Sequence, residues 1–264
     1  MLIIGERINS TRESIARAIN EQDVAFIQQE ARQQADAGAD YIDVNAGALL
    51  GQEVKYLTWL VRIVQEVVDR PLCIDSGNAE ALVEALKLSQ KLHIISSISK
   101  EKSRFQSFLP VIKGSGCKVV ALCVDDDGIP ATAEGRVAVA GHLIEALVSS
   151  GTKVQDIYVD VLAQAVSAES RAVITVLDTI RKVKAAYSEV NTVLGMSNVS
   201  FGLPNRRLLN QNFAAMCLEA GLDAAIADPL DRKLMANILA ADVLLGRDKY
   251  GMSYSLAFRA GKLV

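Results

Sequence analysis

Short apolar runs alternate with longer amphipathic stretches along the whole chain, at intervals of roughly 30 residues, the size of a strand–helix unit in a parallel sheet. Within the longer stretches, apolar residues recur at three- and four-residue steps, as in helices that bury one face. Strands are predicted over 2–8, 41–45, 72–76, 93–97, 119–124, 157–162, 192–198 and 224–228. Helices are predicted over 26–37, 56–68, 79–88, 135–148, 172–186, 208–219 and 233–245.

Eight such units in 264 residues match a closed (β/α)8 or TIM barrel, whose usual length is about 250 residues. A doubly wound open sheet is the alternative, but no Gly-x-Gly-x-x-Gly follows the first strand. Gly38, Gly116, Gly151 and Gly221 each follow a helical pattern and precede a strand, where a left-handed C-cap favours glycine. Because no linker or change of composition interrupts this rhythm, we expect one domain over 1–264.

The charge and hydropathy of the chain argue against nucleic-acid and membrane partners. The net charge is −3, from 28 basic and 31 acidic residues, and no basic cluster is interleaved with aromatic residues, so nucleic acid is not expected as a partner. No apolar run reaches the ~20 residues of a membrane span, and the N-terminus lacks the features of a signal peptide. We therefore expect a cytoplasmic protein with no membrane partner.

Cysteine and histidine are scarce and poorly spaced for metal binding. The two histidines, His93 and His142, have no partner at metal-ligand spacing, and the four cysteines form no C-x-x-C pair. Cysteines within strands are expected to act as small apolar fillers. No metal site is predicted, and no Gly-x-Ser-x-Gly element indicates a serine nucleophile. The cysteines are Cys73, Cys117, Cys123 and Cys217.

Polar side chains instead gather at the C-terminal ends of the predicted strands, the end at which parallel barrels bind their ligands. An aspartate that ends an apolar run, such as Asp75 or Asp160, is costly to bury without donors and therefore needs a local partner or a ligand. Ser76, Ser97 and Asp228 could equally be N-caps of the following helices. The polar residues are Glu6, Arg7, Asn9, Asp43, Asn45, Asp75, Ser76, Ser96, Ser97, Asp125, Asp160, Ser197, Asn198, Ser200 and Asp228.

This combination of groups suits a flat heterocycle. A carboxylate accepts two parallel hydrogen bonds from an exocyclic amino group and an adjacent ring N–H, and amides can serve the other edges. A guanine-like or pterin-like ligand fits this pattern. A phosphorylated sugar fits poorly, because no glycine-rich phosphate cradle follows the seventh and eighth strands.

Six motifs carry a resemblance over essentially the whole chain. They are LIIGERIN (2–9), YIDVNAG (41–47), CIDS (73–76), DDGIP (126–130), YVD (158–160) and GMSNVSFGLP (195–204). In this order, they resemble the pterin-binding methyltransferases that act between tetrahydrofolate and corrinoid proteins, including the folate domain of cobalamin-dependent methionine synthase. The resemblance implies a homodimeric TIM barrel that binds tetrahydrofolate or 5-methyltetrahydrofolate as substrate and docks a corrinoid protein, which carries the cobalamin.

The resemblance also implies roles for individual residues. Asp75 and Asp160 match carboxylates that bind the pterin ring, and Asn198 matches the amide that approaches N5, the atom that exchanges the methyl group; Asn198 is therefore the expected catalytic residue. Arg206 matches a basic residue that contacts the ligand tail or the partner, although an ordinary solvated arginine at a helix start is equally expected. The pterin-binding set as a whole is Asp43, Asp75, Ser96, Asp160, Ser197, Asn198 and Arg206.

One position departs from the pattern. Where many relatives have Asn followed by Ser at the end of strand four, this chain has Ser96 and Ser97. A hydroxyl is shorter than an amide and leaves room for water. Since an acidic donor at N5 matters less when neutral tetrahydrofolate is the nucleophile, we hypothesise that the enzyme methylates tetrahydrofolate with a methylated corrinoid protein.

Two other functions stay open at this point. Dihydropteroate synthase shares the barrel, but its resemblance requires a lysine after strand seven and an Arg-x-His element near strand eight. Here 201–203 read Phe-Gly-Leu and 227–229 read Ala-Asp-Pro, which makes that activity the less favoured one. A folate- or corrinoid-protein-binding module without catalysis is the other alternative.

Overall fold

Eight parallel strands close into a barrel in the order of the chain, β1 pairing with both β2 and β8. The computed structural model describes residues 1–49 and 51–263. The predicted (β/α)8 fold is confirmed. The strands are β1 (Leu2–Asn9), β2 (Tyr41–Asn45), β3 (Leu72–Asp75), β4 (Ile94–Ser99), β5 (Lys118–Leu122), β6 (Ile157–Asp160), β7 (Asn191–Gly195) and β8 (Ala224–Ala227).

The helices form the outer layer. The seven predicted helices are present with ends within three residues of expectation, and the sequence pattern missed α1, α5 and α10. Helix α5 contains Pro110, and α1 and α10 have only eight residues each, so their periodicity is short or interrupted. The helices are α1 (Glu13–Asn20), α2 (Val24–Asp36), α3 (Glu53–Gln65), α4 (Ala79–Lys87), α5 (Lys102–Ile112), α6 (Ala133–Ser149), α7 (Ala172–Ala186), α8 (Arg206–Ala220), α9 (Arg232–Leu244) and α10 (Met252–Arg259).

Two strand predictions were wrong in ways that matter for the site. The strand expected over 93–97 runs instead from Ile94 to Ser99, because His93 lies before it and its Nδ1 accepts a hydrogen bond from the Leu72 backbone N at 2.8 Å. The strand expected over 192–198 ends at Gly195 and continues as a 3-10 turn over Met196–Ser200. Ser and Asn side chains favour turns because they compete with the ladder for backbone hydrogen bonds.

Three of the four predicted C-cap glycines occupy such positions. Gly221 ends α8 with φ 111°, while Gly38 and Gly151 follow the last residues of α2 and α6 with φ 106° and 100°. Only glycine adopts these angles without steric cost. Gly116 also has positive φ, but it lies beyond Ile112, the last residue of α5, and beyond its C-cap Lys113, and so belongs to a loop.

The core has two parts. Most buried side chains lie between the sheet and the helices. A second cluster fills the barrel itself and forms an apolar floor beneath the strand ends, comprising Ile4, Cys73, Ile94, Val120, Tyr158, Val193 and Ala224. Within the described ranges, no helix is long and apolar enough to cross a membrane.

Candidate active site

A pocket of about 500 Å³ opens at the carboxyl ends of the strands. Its base is apolar, formed by Leu122 and Ile226, and its walls are polar. Six of the seven side chains predicted to bind a ligand line this one pocket, namely Asp43, Asp75, Ser96, Asp160, Ser197 and Asn198. The seventh, Arg206, lines a neighbouring cavity of about 370 Å³ instead.

Asp75 and Asp160 reach the pocket from β3 and β6. The Asn45 side-chain amide donates to Asp75 Oδ2 at 2.7 Å, and the Leu162 backbone N donates to Asp160 Oδ1 at 2.8 Å. Among the described residues, the other oxygen of each carboxylate has no hydrogen-bond partner. Each aspartate is therefore fixed by one oxygen and offers the second to a ligand.

Burial controls the protonation of these acids. Burial raises the pKa of Asp160 to about 7, although the Leu162 N–H and the Arg136 guanidinium oppose the rise. Burial also raises the pKa of Asp43 well above its ordinary range, and the nearby Asp75 carboxylate raises it further. The pKa of Asp75 itself is raised by burial and lowered by Asn45 and Arg104. The carboxyl groups of this pocket, which forms the mouth of the barrel, therefore retain protons at a higher pH than exposed carboxyl groups would.

Arg136 of α6 holds the chain where β6 ends. Its guanidinium donates to the carbonyl oxygens of Val161 and Leu162, both at 2.8 Å, and to Gln164 Oε1 at 2.7 Å. The side chain is buried, and all of these acceptors are neutral. Because Leu162 N binds Asp160, this buried cation also positions that carboxylate.

Asn198 lies on the turn that follows β7 and is exposed to the pocket. Gly195 leaves room for it, since a Cβ there would be 3.1 Å from Asn198 Nδ2. The described residues offer the Asn198 side chain no hydrogen-bond partner, so its amide is available to a ligand. Ser197 differs, because its hydroxyl donates to Glu6 Oε2 at 3.2 Å.

Arg206 supports this turn from outside the pocket. Its Nη2 donates to the Ser197 carbonyl oxygen at 2.6 Å and its Nε to Ser200 Oγ at 3.1 Å, while the guanidinium lies over the Phe201 ring. These contacts bind the first and last parts of the turn together. In this arrangement, Arg206 shapes the segment that carries Asn198.

Sequence reasoning missed two cations at the mouth. Arg104 donates from Nε to the Ser97 carbonyl oxygen at 2.8 Å, and Arg12 forms an ion pair with Glu6 at 3.2 Å; both line the pocket. Arg104 belongs to α5 and Arg12 directly precedes α1, two helices that the periodicity did not reveal. Recognising those two helices in the sequence would have placed both arginines beside the strand ends.

Some strand-end residues serve the scaffold instead. The Ser76 hydroxyl donates to Glu53 Oε1 at 2.6 Å, and Asp228 Oδ2 accepts from Arg7 at 2.9 Å. Neither side chain caps a helix, because Asn78 caps α4 and Asp231 caps α9. The N-cap alternative for Ser76 and Asp228 was therefore wrong.

The four cysteines are free and buried. Burial raises the pKa of the Cys123 thiol to about 12 and that of Cys73 well above its ordinary range, so these thiols are neutral packing groups. Across residues 1–49 and 51–263, no cluster of three or more His, Cys, Asp or Glu side chains has the arrangement of a metal site.

The closed barrel and its carboxylate-lined mouth define a TIM-barrel protein with a polar pocket at the strand ends. The sequence profile described as "Pterin binding enzyme" matches residues 5–228. The chain belongs to this family.

One sequence relative is similar to this chain over its whole length, and another over most of it. The chain is 38% identical over 265 residues to a methylcorrinoid:tetrahydrofolate methyltransferase of Eubacterium limosum, which covers 100% of this chain and 98% of that protein. It is also 33% identical to a methionine synthase of Mycobacterium leprae, over 86% of this chain but only 20% of that much longer protein.

Solved structures share the fold at lower identity. A dihydropteroate synthase of Clostridium difficile, determined in the presence of pteroic acid, superposes with a TM-score of 0.73 over 92% of this chain and 96% of that one, at 20% identity. A Yersinia pestis dihydropteroate synthase gives 0.70 over 94% of both chains at 14% identity. At these identities, the likeness establishes the barrel alone.

Proposed function

We propose that this protein transfers a methyl group between a corrinoid protein and N5 of tetrahydrofolate. The observation that carries the proposal is the meeting of Asp75, Asp160 and Asn198 in one open pocket, each with a free polar group. The E. limosum relative supports the same activity, because its similarity extends over the whole chain.

The pocket suits the pterin ring in shape and in chemistry. The apolar base formed by Leu122 and Ile226 lies below the polar wall. The face of a flat ring can therefore pack on these two side chains while its edges form hydrogen bonds with the carboxylates. The free oxygens of Asp75 and Asp160 accept N–H groups of the pyrimidine and pyrazine parts. Asp43, Ser96 and Ser197 complete the pterin-binding set in this proposal.

Asn198 is the proposed catalytic residue. Its unpaired amide lies at the rim and can donate or accept at N5, whichever the methylation state of the folate requires. Arg206 positions the turn that carries this amide, and its part in binding is therefore indirect.

When a separate protein presents a methylated corrinoid at the mouth, N5 would take the methyl group, the cobalt–carbon bond would break to leave cobalt(I), and the N5 proton would pass to water. The chain's own contribution is to hold N5 at a fixed position and direction, which lowers the entropic barrier of a reaction between two large molecules by up to ~7–11 kcal/mol. No covalent bond between enzyme and substrate is needed.

The direction of transfer is part of the proposal. Ser96 is buried in the pocket wall and places a hydroxyl where the resemblance expects an amide. Because methylation of neutral tetrahydrofolate depends less on a donor at N5, we propose tetrahydrofolate as the acceptor in the favoured direction.

Initial rates test activity and direction together. The first reaction contains methylcobalamin and tetrahydrofolate, and the second contains cobalt(I) corrinoid and 5-methyltetrahydrofolate, each followed by the cobalamin spectrum. We expect transfer in both and the higher rate in the first. A clear preference for the second pair removes the proposed direction, and binding of tetrahydrofolate without transfer in either supports a non-catalytic module.

A matched pair of variants ties the activity to the pocket. Asp160→Asn should impair transfer, whereas Asp125→Asn should not, because Asp125 lies in a turn where its Oδ1 accepts a hydrogen bond from Asp127 N. Equal effects of the two changes would contradict the site. A single-domain, cytoplasmic homodimer stays a prediction that accompanies this function.

A further inference from the structure

Arg104, in the first turn of α5, joins two strand ends beneath the rim of the pocket that it lines. Its Nε donates to the Ser97 carbonyl oxygen at 2.8 Å. Its Nη2 donates to the Ser76 carbonyl oxygen at 3.1 Å and to Ser97 Oγ at 3.3 Å. One edge of the guanidinium therefore ties the chain that leaves β3 to the outer part of β4.

The two carbonyl groups lie where regular strand pairing stops. β3 and β4 pair as far as Asp75 and Ser96, and the Ser76 backbone N–H donates to the Ser96 carbonyl oxygen at 3.0 Å. Ser97 lies at the shift in register between β4 and β5. A backbone carbonyl at such a place needs a donor from outside the ladder. Arg104 provides that donor to both strands.

The side chains next to these carbonyl groups are two of the proposed pterin ligands. Asp75 directly precedes Ser76, and Ser96 directly precedes Ser97. Since a planar peptide bond joins the members of each pair, a shift of either carbonyl group would move the preceding side chain. Arg104 thus controls the spacing between the Asp75 carboxylate and the Ser96 hydroxyl across the pocket wall.

The surroundings of the guanidinium suit arginine and not lysine. Its Cζ lies 4.8 Å from the centroid of the Phe108 ring, and Phe108 is buried. The start of α5 is itself fixed, because Glu101, which precedes the helix, accepts a hydrogen bond from Ser99 Oγ at 2.7 Å. A guanidinium stacks on an aromatic face and presents two donors along one edge, whereas an ammonium group donates from a single nitrogen.

Arg104 also offsets negative charge around Asp75. Its guanidinium lowers the pKa of Asp75, against burial and the Glu53 carboxylate, which raise it. An ionised carboxylate accepts stronger hydrogen bonds from a ligand than a protonated one. The other titratable side chains coupled to Asp75 are Asp43 of β2, Cys73 of β3 and Asp160 of β6.

We propose that Arg104 is a positioning residue of the pterin pocket, which holds Asp75 and Ser96 at a fixed spacing by binding the carbonyl groups that follow them. The role is exerted through the backbone and not through contact with the folate. This inference rests on the proposed function, because it assumes that the pterin ring occupies this pocket.

Calorimetry with two ligands at pH 8 tests the proposal. Tetrahydrofolate and 6-methyltetrahydropterin share the reduced ring, and only the first has an anionic glutamate tail. Arg104→Met should weaken binding of both by about tenfold, the equivalent of one charge-assisted hydrogen bond. Arg104→Lys should also weaken both, because it loses the two-donor edge. Arg181→Met is the control, since Arg181 is an exposed residue of α7 that pairs with Asp178 and Glu219, and it should bind both ligands as the wild type does.

The pH dependence of binding separates positioning from a loss of stability. Without the cation, the pKa of Asp75 rises, so its carboxylate is protonated at a higher pH. As pH falls, Arg104→Met should therefore lose affinity at a higher pH than the wild type, whereas Arg104→Lys, which keeps the charge, should follow the wild type. Asp160 is the same in all three proteins. A side chain that served only to stabilise the fold would leave this profile unmoved.

Three results would overturn the inference: wild-type affinity in Arg104→Met, a loss confined to tetrahydrofolate, or an equal loss in Arg181→Met. A loss confined to tetrahydrofolate would show that Arg104 binds the glutamate tail. Arg104→Gln, with one amide donor and no charge, repeats the test should Arg104→Met fold poorly by circular dichroism.

Methyl transfer is measured separately on the same samples. Ring affinities that change as expected, without transfer in the wild type, refute the proposed function and leave the role of Arg104 standing. Transfer by a wild type whose affinities do not depend on Arg104 does the reverse. A wild type that binds neither ligand refutes both.

Discussion

The mouth of the barrel and the C-terminal arm, residues 244–259, depart from an ordinary protein surface in opposite ways. The mouth holds two buried carboxylates, Asp43 and Asp160, and a half-buried one, Asp75, and burial raises the pKa values of all three. The arm exposes Tyr250 and Phe258 to water. The first arrangement is unfavourable because charge is desolvated, and the second because apolar surface is hydrated.

Each departure indicates the chemistry of the molecule that would relieve it. Buried carboxylates with one free oxygen need N–H donors, as a pterin edge provides. An apolar arm that is exposed to water would be stabilised by more apolar surface. The difference predicts that changes at the mouth act on ligand binding and pH dependence, whereas changes of the exposed side chains of the arm affect neither.

The largest expected effect is the pH dependence of stability that Asp160 contributes. Its folded pKa of about 7 lies above the ordinary 3.8, so the folded protein binds more protons than the unfolded chain between these values. The free energy of unfolding should therefore fall as pH rises from about 4 to about 7, by on the order of 4 kcal/mol from this group. Urea unfolding at pH 4 and pH 8 should show this loss in the wild type and a smaller one in Asp160→Asn. Parallel curves would mean that Asp160 titrates normally.

Next in size is the loss of the buried cation beneath Asp160. Arg136→Met leaves the carbonyl oxygens of Pro130, Val161 and Leu162 without their donor and should lower the free energy of unfolding by about 3 kcal/mol or more. Arg62→Met, a change of the same kind at an exposed position of α3, should have little effect. Denaturant midpoints compare the two, and similar midpoints would show that the β6 exit needs no such support.

Asp160→Asn should weaken tetrahydrofolate binding by about 10- to 100-fold. The Asn amide has only one oxygen and cannot accept from both the Leu162 N–H and the pterin N–H. A charge-assisted hydrogen bond of the kind that is lost is worth ~1.5–3 kcal/mol. The ligand-free variant should be more stable than the wild type at pH 8. Calorimetry at that pH measures the affinity. Unchanged affinity would place the pterin elsewhere.

A smaller effect is expected at the rim. Asn198→Ala should reduce kcat roughly tenfold, the equivalent of one hydrogen bond of about 1.4 kcal/mol, and should change tetrahydrofolate affinity less. Steady-state rates and calorimetry separate the two quantities. Equal losses in both would indicate that the amide only binds.

The smallest effect should come from the arm. Phe258→Glu should change the free energy of unfolding by less than about 0.5 kcal/mol, because the replaced side chain is already largely in water. Ala257→Glu, one residue away but buried, should be clearly destabilising. A large loss for Phe258→Glu would show that this ring packs within its own chain.

The sequence predicted the barrel because each β/α unit is local, and a strand or a long amphipathic helix is visible in its own residues. It also indicated Asp75, Asp160 and Asn198, since polar groups at the ends of apolar runs are unusual. It missed α1 and α5, and with them Arg12 and Arg104, because helices that are short or contain Pro110 have a weak period. It also extended β7 through residues that form a turn.

The amino-acid sequence by itself determined the order of strands and helices and the types of residue at the C-terminal end of each strand. Only the tertiary structure decided which of those polar groups share a pocket and which, like Ser76 and Asp228, are used within the scaffold. It also decided that α10 leaves its apolar face uncovered. The physical reason is that periodicity reports short-range preference, whereas pairing, burial and raised pKa values depend on residues that only closure of the barrel brings together.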